Sequence, residues 1–346
     1  MKKPMLAAAR ALGKHTAPKR PAKFTLVCAM RNEGPYILEW LAWHRAVGFD
    51  DILIISNDCT DGSDILLRHL AARGMLLHIE HSPRADQYAL KPAHALALNH
   101  PAVRGANWVM VLDADEFLVV HIGDNTVQGL IRANGQNCLG MAVHWKCFGD
   151  SGQLSWRDAM VREQFTRCTA PADPVNANFK SLFREPTQFK NFSSHAPNDY
   201  QGMWGGKNRW VDSMGRVLSG IQLLGPKPRC ATRISRITHE AAQINHYVIK
   251  SQENMVERRI KWANFNNAER YNADFIKAHN KNDFEDTSAL KNTTCFATQY
   301  NTIRHDPETL RLHHACCANY SKMLVEKQGR EPGEDPRYQM HRAKSQ

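Results

Sequence analysis

Nowhere in its 346 residues does the chain hold an apolar run near the roughly 18 to 20 residues that a membrane-spanning helix needs, so a spanning segment is not expected. It also lacks internal repeats and long low-complexity tracts. With 42% hydrophobic and 23% charged residues this excludes collagen, coiled coil and full-length disorder, and leaves an ordinary globular composition. CxxC pairs are absent. The nine cysteines, at 28, 59, 138, 147, 168, 230, 295, 316 and 317, are odd in number and scattered, which reads as reduced, mostly buried thiols of an intracellular protein. Acids are missing from residues 1–23, where Lys2, Lys3, Arg10, Lys14, Lys19, Arg20 and Lys23 supply seven of the net +11 charges and leave only +4 for the rest. A basic, Pro- and Ala-containing leader over a nearly balanced body argues against a nucleic-acid binder, although such a leader can touch an acidic membrane surface. It is no secretory signal, because Arg10 interrupts an apolar stretch that is already too short.

Strand-like runs and helical patterns alternate through the first 120 residues, the signature of a parallel sheet with crossover helices. FTLVCAM (24–30), DILIIS (51–56), MLLHIE (75–80) and NWVMVL (107–112) read as strands. Between them the spacing predicts helices started by Pro35 and capped by Gly48, at about 63–73 and closed by Gly74, and at about 87–99. Further strands are expected at 138–145 and 243–249, with a helix at about 252–264. The stretch 150–240, broken by Pro171, Pro174, Pro186, Pro197, Pro226 and Pro228, reads as loop-rich. Beyond 265 the polar composition predicts short outer helices, and from 327 a mobile tail.

The strongest chemical signal is Asp113, Asp115 and Glu116 at the carboxyl end of a doubly buried strand, the edge where ligands bind in open α/β sheets. Three acids in four residues repel one another and lose hydration, a conflict that a divalent cation resolves. A solvated acidic turn is the competing reading. A phosphatase of the haloacid-dehalogenase type would carry its DxD after the first strand, and an EF-hand would need a further acid and a glycine at fixed offsets. Arg31, Asn32 and Glu33 follow the first strand, and Asn57, Asp58 and Asp61 the second, so all emerge on the edge of the DxD; capping explains Asp61 or Ser63 equally well. Lys91 adds positive charge there, or sits on a solvated helix face. Asp150 is the candidate general base. Trp145 and Phe148 read as core or pocket wall, and Trp204 and Trp210 as aromatic residues of an acceptor-side loop or, equally, of a surface packing cluster. His313, His314, Cys316 and Cys317 form a His/Cys cluster with His313 and Cys317 on one helix face. Two ligands on one turn do not complete a tetrahedral zinc site, so an incidental cluster is expected.

The combination NEGPYILEW (32–40), WHRAVGF (43–49), DADEF (113–117), WKCFGDSG (145–152), FKSLFR (179–184), HAP (195–197) and INHYVIKS (244–251) resembles glycosyltransferase family 2, more narrowly the bacterial branch related to family 92. The resemblance implies a GT-A fold: α/β, with a mostly parallel nucleotide-binding sheet flanked by helices, a loop-rich acceptor half and a C-terminal helical extension. It divides the chain into a leader (1–22), a glycosyltransferase domain (23–265) and the extension (266–346). It further implies metal-dependent transfer of a sugar, with inversion, from a nucleotide-sugar donor of the UDP type to a hydroxyl of a glycan or glycoconjugate in polysaccharide biosynthesis. The cofactor would be manganese or magnesium, and the location the cytoplasm or the inner membrane face. Carried over by position, Asp113 and Asp115 would hold the metal. His246, which by itself reads as a core histidine of an apolar strand, would contact the metal or the phosphate. Arg31, Asn32 and Glu33, with Asp58 or Asp61, would line base and ribose. Lys180, Arg184 and His195 would face diphosphate or acceptor. A non-catalytic nucleotide- or glycan-binding module of the same fold is the alternative.

Overall fold

The computed structural model describes residues 22–83, 90–203, 209–219, 230–255, 258, 271–291 and 293–346. Its centre is a nine-stranded sheet of β1 (Phe24–Met30), β2 (Asp51–Asn57), β3 (Leu77–His81), β4 (Trp108–Val111), β5 (Glu116–Val120), β6 (Gly140–Cys147), β7 (Phe179–Phe183), β8 (Trp210–Asp212) and β9 (Ala242–His246). The order is β3-β2-β1-β4-β7-β6-β9-β5, with β8 also on β6; β5 and β7 run against the other strands. This is the mostly parallel α/β architecture expected from the sequence.

The strand order forces a curl. Only residues 112–115 join β4 to β5, yet three strands lie between them. In a flat sheet that gap would be roughly 19 Å at about 4.8 Å per strand, more than the ~18 Å that five extended residue steps can reach. The sheet therefore rolls round, and the DADEF turn crosses from one half to the other.

Helices cover both faces, and a short one, α4 (Ala273–His279), packs Phe275 and Ile276 against Val248 and Ile249. On one side α1 (Ile37–Ala46), α2 (Ser63–Ala72), α5 (Thr293–Arg304) and α6 (Pro307–Lys327) bury Trp40, Leu41, Leu67 and Leu70 with Phe296, Leu312 and Leu324. On the other, α3 (Leu90–Asn99) and the hairpin of Phe189–Phe192 with Pro197–Tyr200 enclose Val27, Ile55, Phe179 and Phe183. Gly48 closes α1 in the left-handed region, φ 101°, as a C-cap glycine should. Each of the nine cysteines is a free thiol. No described helix is long and apolar enough to cross a membrane.

Several expectations are corrected. FKSLFR lies in the stretch read as loop-rich, but β7 is a fully buried central strand. The residues beyond 265 are not outer helices only: Leu312, Cys316, Tyr320 and Leu324, four apart, put a buried stripe on the 21-residue α6, which the polar residues between them conceal. Nor is the end of the chain a loose tail. Residues 336–344 form α7 (Pro336–Lys344), anchored where Arg337 bonds Glu253 and Asp335 at 2.6 to 3.1 Å. The predicted helix at about 252–264 starts at 252, but most of it lies outside the described residues, as do the leader and Trp204. Trp210 is not on an acceptor loop; it is 1% exposed in β8, packed on Gly140.

The core also sets the response to acid. His44, His94 and His144 are buried, and burial lowers them to about 3, about 4 and about 4 from the ordinary ~6.5. They stay neutral in the folded chain while the unfolded chain takes up protons below pH ~6.5. Stability is thus level above that pH and falls as the pH drops, by at most about 1.4 kcal/mol per pH unit for each histidine. Against a usual total of about 5–15 kcal/mol, melting temperatures measured from pH 7.5 to 5 should decline steeply below 6.5; a flat profile would contradict three neutral core imidazoles.

Candidate functional site

The residues of WHRAVGF and its surroundings fix the DxD turn from below. The Trp40 indole donates to the Glu116 carbonyl at 3.0 Å and Trp43 to Leu118 at 2.8 Å, so α1 grips the backbone of β5. His44 joins them: Nδ1–H donates to the Trp40 carbonyl at 2.9 Å, leaving Nε2 to accept from the Leu118 amide at 3.4 Å. Three aromatic side chains of one helix thus hold the segment after DADEF through its backbone.

The acids sit in a network. Lys180 in β7, fully buried, places its ammonium 2.8 Å from Asp113 Oδ2 and 2.8 Å from Glu116 Oε2, and Glu116 Oε2 also accepts from the Asp113 amide at 2.8 Å. Burial pushes the Glu116 carboxyl up against the pull of Lys180, with Asp113 and Asp115 adding to the rise. Asp113, beside the same lysine, is held below the usual carboxylate range although desolvation opposes this. Asp115 pairs with Arg258 and lies 3.7 Å from His246 Nε2; burial alone would raise it, but Arg258 and His246 outweigh burial and hold it well below its ordinary value. Burial takes His246 down to about 3, so its imidazole is neutral.

These groups open on a cavity of about 740 Å³ at the carboxyl edge of β1, β2 and β4. Of the residues singled out in the sequence, Arg31, Glu33, Lys91, Asp113, Asp115, His195 and His246 line it, together with Asn57 and Trp145. His195 comes from the turn of the 189–200 hairpin, its Nδ1 3.1 Å from the Phe179 carbonyl and its ring 5.2 Å from Trp145. Asp113 is the more open carboxylate, 39% exposed against 7% for Asp115.

The other candidates lie elsewhere. Asn32 bonds the Thr60 amide and hydroxyl at 2.7 and 3.0 Å; Asp61 accepts from the Gly34 and Ser63 amides at 3.0 and 2.9 Å; Asp58 takes φ 45° and accepts from Asn57. Strand-to-helix turns must satisfy their own amides; Asn32 and Asp61 do so and tie the two turns together, Asp58 bonds its neighbour's carboxamide, and none of the three lines the cavity. Lys180 lies beneath the turn, not facing a ligand. Arg184 lies past the far end of β7, its guanidinium over the Trp108 ring at 5.5 Å. Asp150 is outside the cavity wall: its carboxylate accepts from Gly152, Asn280, Asn282 and Gln252 at 2.9 to 3.4 Å. Burial would raise it, but these bonds win and lower it, the wrong direction for a base. Asp150→Asn should therefore keep kcat within a few-fold while lowering the melting temperature through a loss of about 1–3 kcal/mol; a kcat collapse at wild-type stability would restore the base role.

Arg258, His94, Tyr271 and His279 also line the cavity, and sequence reasoning missed them. Arg258 is 143 positions from its partner Asp115, with no motif around it. Asp113, Asp115 and the neutral imidazole of His246 line the cavity together, and the two carboxylates are the oxygen ligands that manganese or magnesium takes.

Comparison with known proteins gives the family. The model of glycosyltransferase family 92 matches residues 27–288. A glycosyltransferase family 92 protein of Ricinus communis is 24% identical over 141 residues, 39% of this chain and 24% of that protein, so the chain spans about a quarter of that relative. Among solved structures, S. aureus TarS 1–349 in complex with UDP aligns with 93% of this chain and 88% of its own at 13% identity and a TM-score of 0.35. The S. cerevisiae mannosyltransferase Ktr4p aligns with 39% and 42% at 11% and 0.24. At such scores neither bears on the argument. The family match, running from inside β1 to beyond β9 and taking in every motif from DADEF to INHYVIKS, carries the conclusion: the chain belongs to glycosyltransferase family 92.

Proposed function

We propose that the protein transfers a sugar, with inversion, from a UDP-type nucleotide-sugar donor to a hydroxyl of a glycan or glycoconjugate. The observation that carries this reading is the convergence of Asp113, Asp115 and His246 with Arg31 and Lys91 on one large cavity at the carboxyl edge of the sheet, in a family 92 chain. Asp113, Asp115 and His246 would hold manganese or magnesium, which when bound supplies positive charge for the diphosphate oxygens. Displacing a nucleoside diphosphate builds negative charge on the departing oxygen, and Arg31, Lys91 and Arg258 are the cations on the wall placed to meet it. Lys180 and Glu116 keep the carboxylates in place from behind. Asn57 and Glu33, at the ends of β2 and β1, suit a polar nucleoside. Trp145, its ring 4.2 Å from that of His246 and 5.2 Å from that of His195, adds an aromatic face on which a sugar ring can lie.

The test is thermal stabilisation by UDP with manganese, with chelator, and in Asp115→Ala, followed by a donor panel for hydrolysis and transfer. UDP should raise the melting temperature only with manganese and only when Asp115 is present. Stabilisation indifferent to metal would overturn the proposed cation site. Binding without turnover on any donor would leave the non-catalytic module as the function.

A further inference from the structure

Outside the cavity lining, the fold completes a cluster that the sequence left unfinished. His313 and Cys317 lie one turn apart on α6, with Cys317 Sγ 3.5 Å from His313 Nε2. Asp158, on the loop before Val161–Gln164, brings Oδ1 to 3.3 Å from His313 Nε2, and His341 of α7 brings Nε2 to 3.9 Å from Asp158 Oδ2. Single ligand atoms of Asp158, Cys317 and His341 all fall within 4.8 Å of one another. We propose that Asp158, His313, Cys317 and His341 form a zinc site that fastens the C-terminal helices to the body of the enzyme.

Three physical points carry it. The first is spacing: around a tetrahedral zinc with bonds of about 2.0–2.3 Å, neighbouring ligand atoms stand roughly 3.3–3.7 Å apart; His313 lies 3.5 Å from Cys317 and 3.3 Å from Asp158, inside that range, and His341, 3.9 Å from Asp158, lies just beyond it, so a small inward shift of α7 closes the set. The second is an unmet valence. His341 is 1% exposed and its Nε2 has no hydrogen-bond partner, an arrangement that costs free energy for a core imidazole and is resolved when the nitrogen binds a metal. The third is tautomer control. His341 Nδ1 lies 3.0 Å from His314 Nδ1, so one of the two carries the proton. With the proton on His341, that N–H donates to His314 and the Nε2 lone pair faces the cluster, the usual outer partner of a metal-bound histidine. One thiolate, one carboxylate and two imidazoles neutralise a divalent ion, and the mixed S, N and O set favours zinc over manganese or magnesium. Cys317, fully buried, releases its proton as the metal binds.

The consequence reaches the cavity through α6. Cys316 packs against Gly34, beside Glu33; Asn319 donates to the Asp61 carbonyl at 3.0 Å; and Asn254 donates to the hydroxyls of both Tyr320 and Tyr36. The helix that carries two ligands therefore backs the turn that carries Arg31 and Glu33.

The experiment is elemental analysis of the full-length protein purified without added metal, joined to cobalt substitution during growth. Near one zinc per chain is expected. It should persist in Asp115→Ala, which separates it from any cation in the cavity, and fall below one fifth of that content in Cys317→Ser and His341→Ala. The cobalt-grown wild type should show a thiolate-to-cobalt charge-transfer band. Wild-type protein with no stoichiometric zinc and no such band overturns the site, and neither measurement depends on whether a variant folds. Zinc retained at wild-type level in both variants would also overturn it.

Discussion

Asp115→Asn is expected to lower sugar transfer by roughly 10³-fold, about 4 kcal/mol of transition-state stabilisation, with the fold intact. The amide keeps the size and shape of the carboxylate and discards only its charge. That charge is held throughout the neutral and mildly acid range, because Arg258 and His246 keep the carboxyl well below its usual value despite burial. The backbone beneath it is also fixed: the main-chain carbonyl of Asp115 accepts from the Tyr247 amide at 2.9 Å, joining the DxD turn to the segment after β9. Under the proposed reading the substitution removes a ligand for the cation and leaves Arg258 without its anionic partner. The loss should therefore appear in kcat/KM for the donor and in a higher manganese requirement, with melting temperature shifted by only a few degrees. Turnover within ten-fold of wild type at saturating manganese would show that Asp115 is a structural acid and that the cation, if any, sits elsewhere.

How much of this was visible in the sequence depends on whether a residue acts locally or at long range. The elements from β1 to β4 follow from apolar periodicity and from Pro35, Gly48 and Gly74, and the DxD announced itself because acids at the end of a doubly buried strand are anomalous. The motif WHRAVGF was recognisable, but its role was not. Trp40, Trp43 and His44 act on the backbone of a strand some 75 positions later, and nothing in a helical pattern says which carbonyl an indole will meet. Turn residues misled in the opposite direction. Asn32, Asp58 and Asp61 have the right chemistry on the right edge, yet Asn32 and Asp61 bond local backbone amides and Asp58 the Asn57 side chain, and none of them lines the cavity. Composition misled most at the C-terminus, where a stripe four residues apart is diluted by polar neighbours and where buried pairs such as Arg337 with Glu253 order a sequence that looks solvated.

Lys180 is the sharpest case, and Lys180→Met is the second large effect. The family resemblance implied a cation facing the diphosphate or the acceptor; instead its side chain is 0% exposed and balances Asp113 and Glu116. Desolvation would lower such an ammonium, but the two carboxylates prevail and hold it up, so it stays charged. Methionine fits the volume and removes the charge. Breaking a buried pair from one side leaves the other charge uncompensated, at a typical cost of about 3–5 kcal/mol, and here two acids lose the same partner. The pH dependence should shift as well. Without the lysine Asp113 rises from below its ordinary value and Glu116, which burial already raises, rises further, so the folded variant binds more protons than folded wild type and loses less stability as the pH falls from 7.5 toward 5. Wild type falls more steeply over this interval because of its neutral core histidines. Adding Glu116→Gln removes one of the stranded charges and should recover part of the loss at pH 7.5. Melting curves of the three proteins at pH 7.5 and 5.5 decide the matter: a single variant as stable as wild type, with the same pH slope, would mean that the acids are not held by this lysine.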